Sequence, residues 1–316
     1  MYCSMLRRAC QVSVVLFALV PSALLAITPE VRWHPTFAAA QAQSAQSAKP
    51  ILVVGYAPDD EHSQNLINKI LRHPQVIEHL KKFELFAANA DDEATKSFCE
   101  QYKIGVVKQT DEWVTLYSAP PVLIFLDKDG SQYFRDQGYT PTTVGEAHPR
   151  DVTDLAAAAF AIRLQKVLQL IAGLRQLAVA PTAAVYAQVG HMLVELERFE
   201  EARPHLQKAL QLDPANQAGA FANAYLDLTI MAIADEPERV RQQLEDYAAR
   251  YPDSDRLLEA RYYQGVCLIA AEKYKQAWTV LRTFRTNDRS APEFDSPWTP
   301  LALGLLQQLE DLKLAP

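Results

Sequence analysis

The chain has 316 residues, 49% of them hydrophobic and 22% charged, with 31 Lys+Arg against 38 Asp+Glu and a formal net charge of −7. That length suits two ordinary domains, and a mean hydropathy of −0.12 argues against a multi-span membrane protein. The acidity disfavours non-specific nucleic-acid binding, which needs a cationic surface.

The first 26 residues are ordered like an export signal. Arg7 and Arg8 precede a largely apolar run from Val12 to Ala26, which ends on a small residue. Leu24 would stand at −3 and departs from the small-x-small preference. The run is shorter than the ~20 residues that cross a bilayer as a helix. A cleaved signal and a periplasmic or exported protein are the expectation, and a single-pass anchor facing the periplasm is the alternative. Removal of residues 1–26 leaves 29 basic and 38 acidic residues, net −9, and removes Cys3 and Cys10. Cys99 and Cys267 remain, in different domains and in helical patterns, so buried thiols are expected rather than a disulfide. Residues 27–48 lack periodicity and are rich in Ala, Gln and Ser, which predicts a flexible linker.

From residue 49 the pattern alternates between strands and helices. Ile51–Tyr56 is a continuous apolar run, as in a strand buried on both faces. Asp59-Asp60-Glu61 opens a helix to about Leu71, its acids at the positive end of the helix dipole. A helix over 75–82, a strand over 83–88 and a helix from Asp91 to about Tyr102 follow. Val122–Leu126 predicts a further strand, joined to one over 131–137 by a turn at Asp127–Gly130 with Asp129-Gly130 as its positive-φ pair. A long apolar-periodic helix over 151–177 closes an α/β domain.

Lys49-Pro50 before the first strand, Pro121 before Val122, the Leu126-Asp127-Lys128-Asp129-Gly130 turn and Gly138-Tyr139 after it make residues 49–177 resemble the thioredoxin superfamily. The resemblance implies a cis-proline at Pro121. It also places the family's Cys-x-x-Cys on Asp60 and Ser63, and its buried acid on Val54. A thiolate is the nucleophile of dithiol exchange, so that chemistry is not expected here. An insertion over 105–117, about a dozen residues, is of the size that is often functional. A metal or acid–base site on Asp59, Asp60, Glu61 and His62 is disfavoured, because successive helical residues point about 100° apart. The remaining histidines are scattered, so no metal and no cofactor are expected.

Residues 183–216 fit the 34-residue tetratricopeptide pattern, with Tyr186, Gly190, Phe199, Ala202, Leu206, Ala209 and Pro214 at its bulky, small and proline positions. Gly265, Tyr274, Ala277 and Leu281 repeat this 75 residues on. Residues 218–252 are then a degenerate copy, with Leu228 and Val240 in the small positions, and Pro300–Leu312 is a capping helix. The fold class expected is therefore α/β plus all-α, a thioredoxin-like domain followed by a right-handed helical array over 183–315. Its groove would be lined by His191, Glu195, Tyr225, Thr229 and Tyr262, with Ala187 and Ile269.

Together these features predict an exported, redox-inactive adaptor that binds protein or peptide clients, with no membrane contact beyond a possible N-terminal anchor. The alternatives are a thioredoxin-like enzyme using non-dithiol chemistry at Asp60 and His62, and a chaperone-like holder of clients.

Overall fold

The computed structural model describes residues 31–105, 107–110, 113–116, 118–137 and 149–314. The expected signal over 1–26 and the Gly138-Tyr139 pair lie outside the described residues. The chain divides into two compact units, Met1–Ala161 and Ile162–Pro316.

The first unit is built on a five-stranded sheet. Its strands are β1 (Trp33–His34), β2 (Ile51–Tyr56), β3 (Glu84–Asn89), β6 (Val122–Leu126) and β7 (Gln132–Gln137), in spatial order β1-β3-β2-β6-β7. β1 and β2 run parallel to β3, while β6 is antiparallel to both β2 and β7. Every residue of β2 and of β6 is buried, as expected for continuous apolar runs sandwiched in a sheet. Helices α1 (Phe37–Ser47), α2 (Glu61–Asn65), α3 (Pro74–Leu80) and α4 (Lys96–Gln101) complete the unit, and α2 continues as a π-helical turn over Leu66–Ile70. The Pro120–Pro121 peptide is cis.

Two local expectations are corrected, and the insertion gains a structure. Residues 27–48 are not a featureless linker, since they contain β1 and α1. Thr36 caps α1 by accepting from the Ala39 amide at 3.2 Å, a preferred N-cap arrangement. Phe37 packs 4.8 Å from Phe98 and 5.9 Å from Phe86, ring centre to ring centre. Alanine and serine at the buried positions, Ala40 and Ser44, give almost no apolar contrast, so the helical period is faint in the sequence. The 105–117 insertion contains an antiparallel hairpin, β4 (Val107–Thr110) with β5 (Trp113–Leu116), registered Val107 to Leu116. In the Asp127–Gly130 turn only Gly130 has positive φ (86°). Asp129 instead accepts from the Ser131 amide and hydroxyl, at 2.8 and 2.6 Å.

Helix α5 (Pro149–Val179) runs from the first unit into the second. Its stretch Thr153–Val179 is long and apolar enough to cross a membrane by length and composition. Ala157, Phe160, Leu164, Val167 and Ile171 are nevertheless buried, a spacing of three and four that marks one packed helical face.

Three helix pairs follow: α6 (Ala183–Glu195) with α7 (Phe199–Leu212), α8 (Ala220–Ile230) with α9 (Pro237–Arg250), and α10 (Leu257–Ala270) with α11 (Tyr274–Leu281). α12 (Trp298–Asp311) ends the described array. The first and third pairs share one close contact. A Cβ on Gly190 would collide with the Leu206 side chain, and one on Gly265 with that of Leu281. Ala202, Leu206 and Ala209 are buried on α7, as are Val240, Leu244 and Tyr247 on α9, and Ala277, Leu281 and Phe284 on and after α11. The middle pair departs from expectation by one residue. The buried series Val185, Ala187, Val189, Gly190 recurs as Ala222, Ala224, Leu226, Asp227, so Asp227 rather than the half-buried Leu228 takes the place of Gly190. A longer connection between α8 and α9 shifts the frame.

α12 buries Ala302, Leu306 and Leu309 but leaves Leu301 50% exposed, and a Cβ on Gly304 would meet no atom within 4 Å. One face is packed and the other open, as a cap requires.

The glycines therefore divide by sign. Alanine gains about 1 kcal/mol over glycine in a helix interior, whereas overpacking a filled core costs about 1–3 kcal/mol. Gly190→Ala and Gly265→Ala should lower the thermal unfolding temperature followed by circular dichroism, and Gly304→Ala should raise it. A rise in all three would mean that the glycine–leucine contacts do not limit helix approach.

Candidate protein-interaction face of the helical repeats

The position where the thioredoxin resemblance would put a Cys-x-x-Cys, Asp60 to Ser63, is a helix start capped by Asp60. Asp60 has extended backbone and its Oδ2 accepts from the Ser63 amide at 2.6 Å. Ser63 is buried, and its Oγ accepts from the Ala57 amide at 3.3 Å. Val54 is fully buried in β2. Asp60 thus satisfies one of the amides that a helix start leaves unpaired, and Ser63 ties the preceding turn to that helix through the Ala57 amide. Glu61 and His62 are exposed beside them. Among the described residues no group of three or more His, Cys, Asp or Glu is placed to hold a metal ion. Cys99 and Cys267 are both buried free thiols, and burial pushes each thiol's pKa up to about 11. Such thiols are poor nucleophiles at neutral pH.

The first helices of the three pairs carry a buried polar cluster. Asp227 on α8 has a side chain only 1% exposed. Its Oδ1 lies 3.1 Å from His191 Nδ1 on α6 and accepts from Arg256 Nη2 at 2.6 Å, at the start of α10. Arg256 also donates from Nε to Glu259 Oε2 at 2.7 Å and from Nη1 to the Asn223 carbonyl at 3.2 Å. One carboxylate therefore ties together side chains from three successive repeats.

Burial alone would raise the Asp227 pKa. The hydrogen bond from His191 and the Arg256 charge outweigh burial and hold it below the usual carboxylate range. For Arg256 burial works against the charged form, but Glu259 and Asp227 more than offset it, and its pKa rises. Asp227 Oδ2 is buried without a hydrogen-bond partner, so the cluster is over-supplied with acceptor capacity. Tyr263 lies near it; burial first, then the charges of Glu259 and Glu195, disfavour its ionisation.

Of the residues expected to line the groove, His191 and Glu195 fall in or beside this cluster and are 29% and 28% exposed in their side chains. Glu195 pairs with Lys166 of α5 at 2.5 Å. Thr229 is withdrawn from any surface: it is buried, and its Oγ1 donates to the Tyr225 carbonyl at 2.8 Å. Tyr225 stacks on Phe221, with ring centres 6.3 Å apart, and packs against the core between α8, α9 and α10. Tyr262 packs against the Trp298 ring at 5.4 Å in a different core cluster, which also takes in Ile269. The two tyrosines therefore serve separate cores, and Ala187 is buried. The Asp227–Arg256 link was missed by sequence reasoning, because a buried aspartate at a small-residue position has no local signature. The one available signal was the frame shift.

Residues 183–216 match the tetratricopeptide repeat family. No curated protein matches the chain.

Asp227→Ala should destabilise the array by about 3–5 kcal/mol, the cost of stripping one partner from a buried ion pair. Because the folded pKa of Asp227 is depressed, its contribution is complete above the unfolded value near 4 and is lost as pH falls through the folded value. Urea unfolding at pH 7 and pH 3 should show a smaller gap between wild type and Asp227→Ala in acid, because the loss begins as pH falls below the unfolded value. An equal gap at both pH values would remove Asp227 from that role.

Proposed function

We propose that the protein is a non-enzymatic adaptor that recognises protein or peptide clients through the first helices of its repeats. The observation that carries this reading is the repeat at 183–216 with its copy 75 residues on, since such arrays build extended binding surfaces from stacked helix pairs. His191 and Glu195 are the polar contacts available on that face, and clients would be read there by charge and shape.

The first unit serves in this reading as a thioredoxin-like recognition module. The sheet order and the β6–turn–β7 hairpin support that assignment, and the capping role of Asp60 and the burial of Ser63 support redox inactivity. Export to the periplasm rests on Arg7, Arg8 and the apolar run after them. No observation favours chemistry at Asp60 and His62, since Asp60 is committed to its cap.

Two experiments test the proposal. The full chain should capture clients from envelope extracts, and a His191→Gln, Glu195→Gln variant, whose amides can still donate to Asp227 and accept from Lys166, should lose most of them with helical circular dichroism unchanged. Capture unaffected by the variant would sink the groove reading. In an insulin reduction assay the purified chain should be inactive, and Cys99 and Cys267 should resist alkylation until it unfolds. Reductase activity abolished by Cys99→Ser would contradict it.

A further inference from the structure

In the first unit a cavity of about 310 Å³ opens between the start of β1, α1, the end of α3 and the start of β3. Arg32, Lys49 and Lys81 all line it, together with Gln43. Three cations around one concavity are unusual in a chain of net charge −7. Lys81 is paired with Glu78 at 2.6 Å, whereas Arg32 and Lys49 form no ion pair with any described residue. An anion bound between the three cations would be attracted by all of them at once, although each side chain is exposed to solvent. The pocket is also of ligand size.

The remaining polar wall is Glu84, which is buried. His34 Nε2 lies 2.7 Å from its Oε2, and the Ser47 hydroxyl donates to its Oε1 at 2.8 Å. These contacts from β1 and α1 fix the carboxylate of Glu84, which is one of the residues lining the pocket. Each oxygen keeps a second lone pair, so Glu84 offers an acceptor to anything bound there. A fully deprotonated oxyanion would be repelled by that carboxylate. One that carries its own O–H would donate to it while its other oxygens accept from Arg32 and Lys49.

We propose that this pocket is a binding site for a small protonated oxyanion of the phosphate type, held by Arg32, Lys49 and Lys81 and distinguished by an O–H donated to Glu84. Apolar Leu80 and Phe83 form part of the wall, which leaves room for a short organic substituent on the anion. The site is independent of the repeat array and of its clients.

The test uses inorganic phosphate and sulfate, which match in size and shape but differ in the O–H that phosphate keeps near pH 7. Isothermal titration of the full chain at constant ionic strength should give saturable phosphate binding, with sulfate about tenfold weaker or worse, the scale of one charge-assisted hydrogen bond. An Arg32→Gln, Lys49→Gln variant, altered only at exposed side chains, should bind phosphate at least about tenfold more weakly. Glu84→Gln should reduce the preference for phosphate over sulfate. Absence of saturable phosphate binding, equal affinity for both anions, or an unchanged affinity in the double variant would overturn the proposal.

Discussion

The close approach of paired helices at Gly190 and Gly265 is the constraint on which the second unit depends. Leucines 206 and 281 occupy the space a side chain would need, so each helix pair closes at a distance set by the missing Cβ. Once two helices sit that near, the small and aliphatic residues on the partner helix are buried almost automatically, and dispersion over the interface follows. Successive pairs then inherit a common geometry. Where the glycine is absent, in the middle pair, the chain uses a different device. A buried aspartate stands at the equivalent position and is anchored by groups from the pairs before and after it.

That substitution changes what holds the array together. Apolar packing at Gly190 and Gly265 is non-directional and tolerant of condition, whereas the Asp227 cluster is directional. It sets the relative placement of α6, α8 and α10 through His191, Asp227 and Arg256. A buried ion pair adds little net stability against an apolar alternative. Its retention on the helices we assign to recognition is consistent with a positional role: the side chains that would meet a client stand next to groups fixed by hydrogen bonds.

Much of this architecture was legible in the residues. Ile51–Tyr56 and Val122–Leu126 are apolar without interruption, which only a strand covered on both faces tolerates, and the structure buries every residue of both. The repeat at 183–216 carries its small and bulky positions at fixed offsets because close helix packing demands them. Elements made of low-contrast residues were hidden. α1 is written in Ala, Gln and Ser, and its packing rests on Phe37 and the Thr36 cap, so a period-based reading sees nothing. The hairpin β4–β5 was visible only as surplus length. The frame of the middle repeat was off by one residue because Leu228 is a more familiar core residue than Asp227, and only the burial pattern distinguishes them. Candidate site residues fared according to range. Asp60 sits at a helix start that its run of acids anticipates, while the His191–Asp227–Arg256 cluster joins residues up to 65 positions apart.

The central claim is that clients are met on the first helices of the repeats. Hydrogen–deuterium exchange of the full chain, with and without a captured client, tests it most directly. The account predicts added protection concentrated on α6, α8 and α10, with the second helices α7, α9 and α11 little changed. Protection confined to the first unit, or spread over the second helices alone, would contradict it.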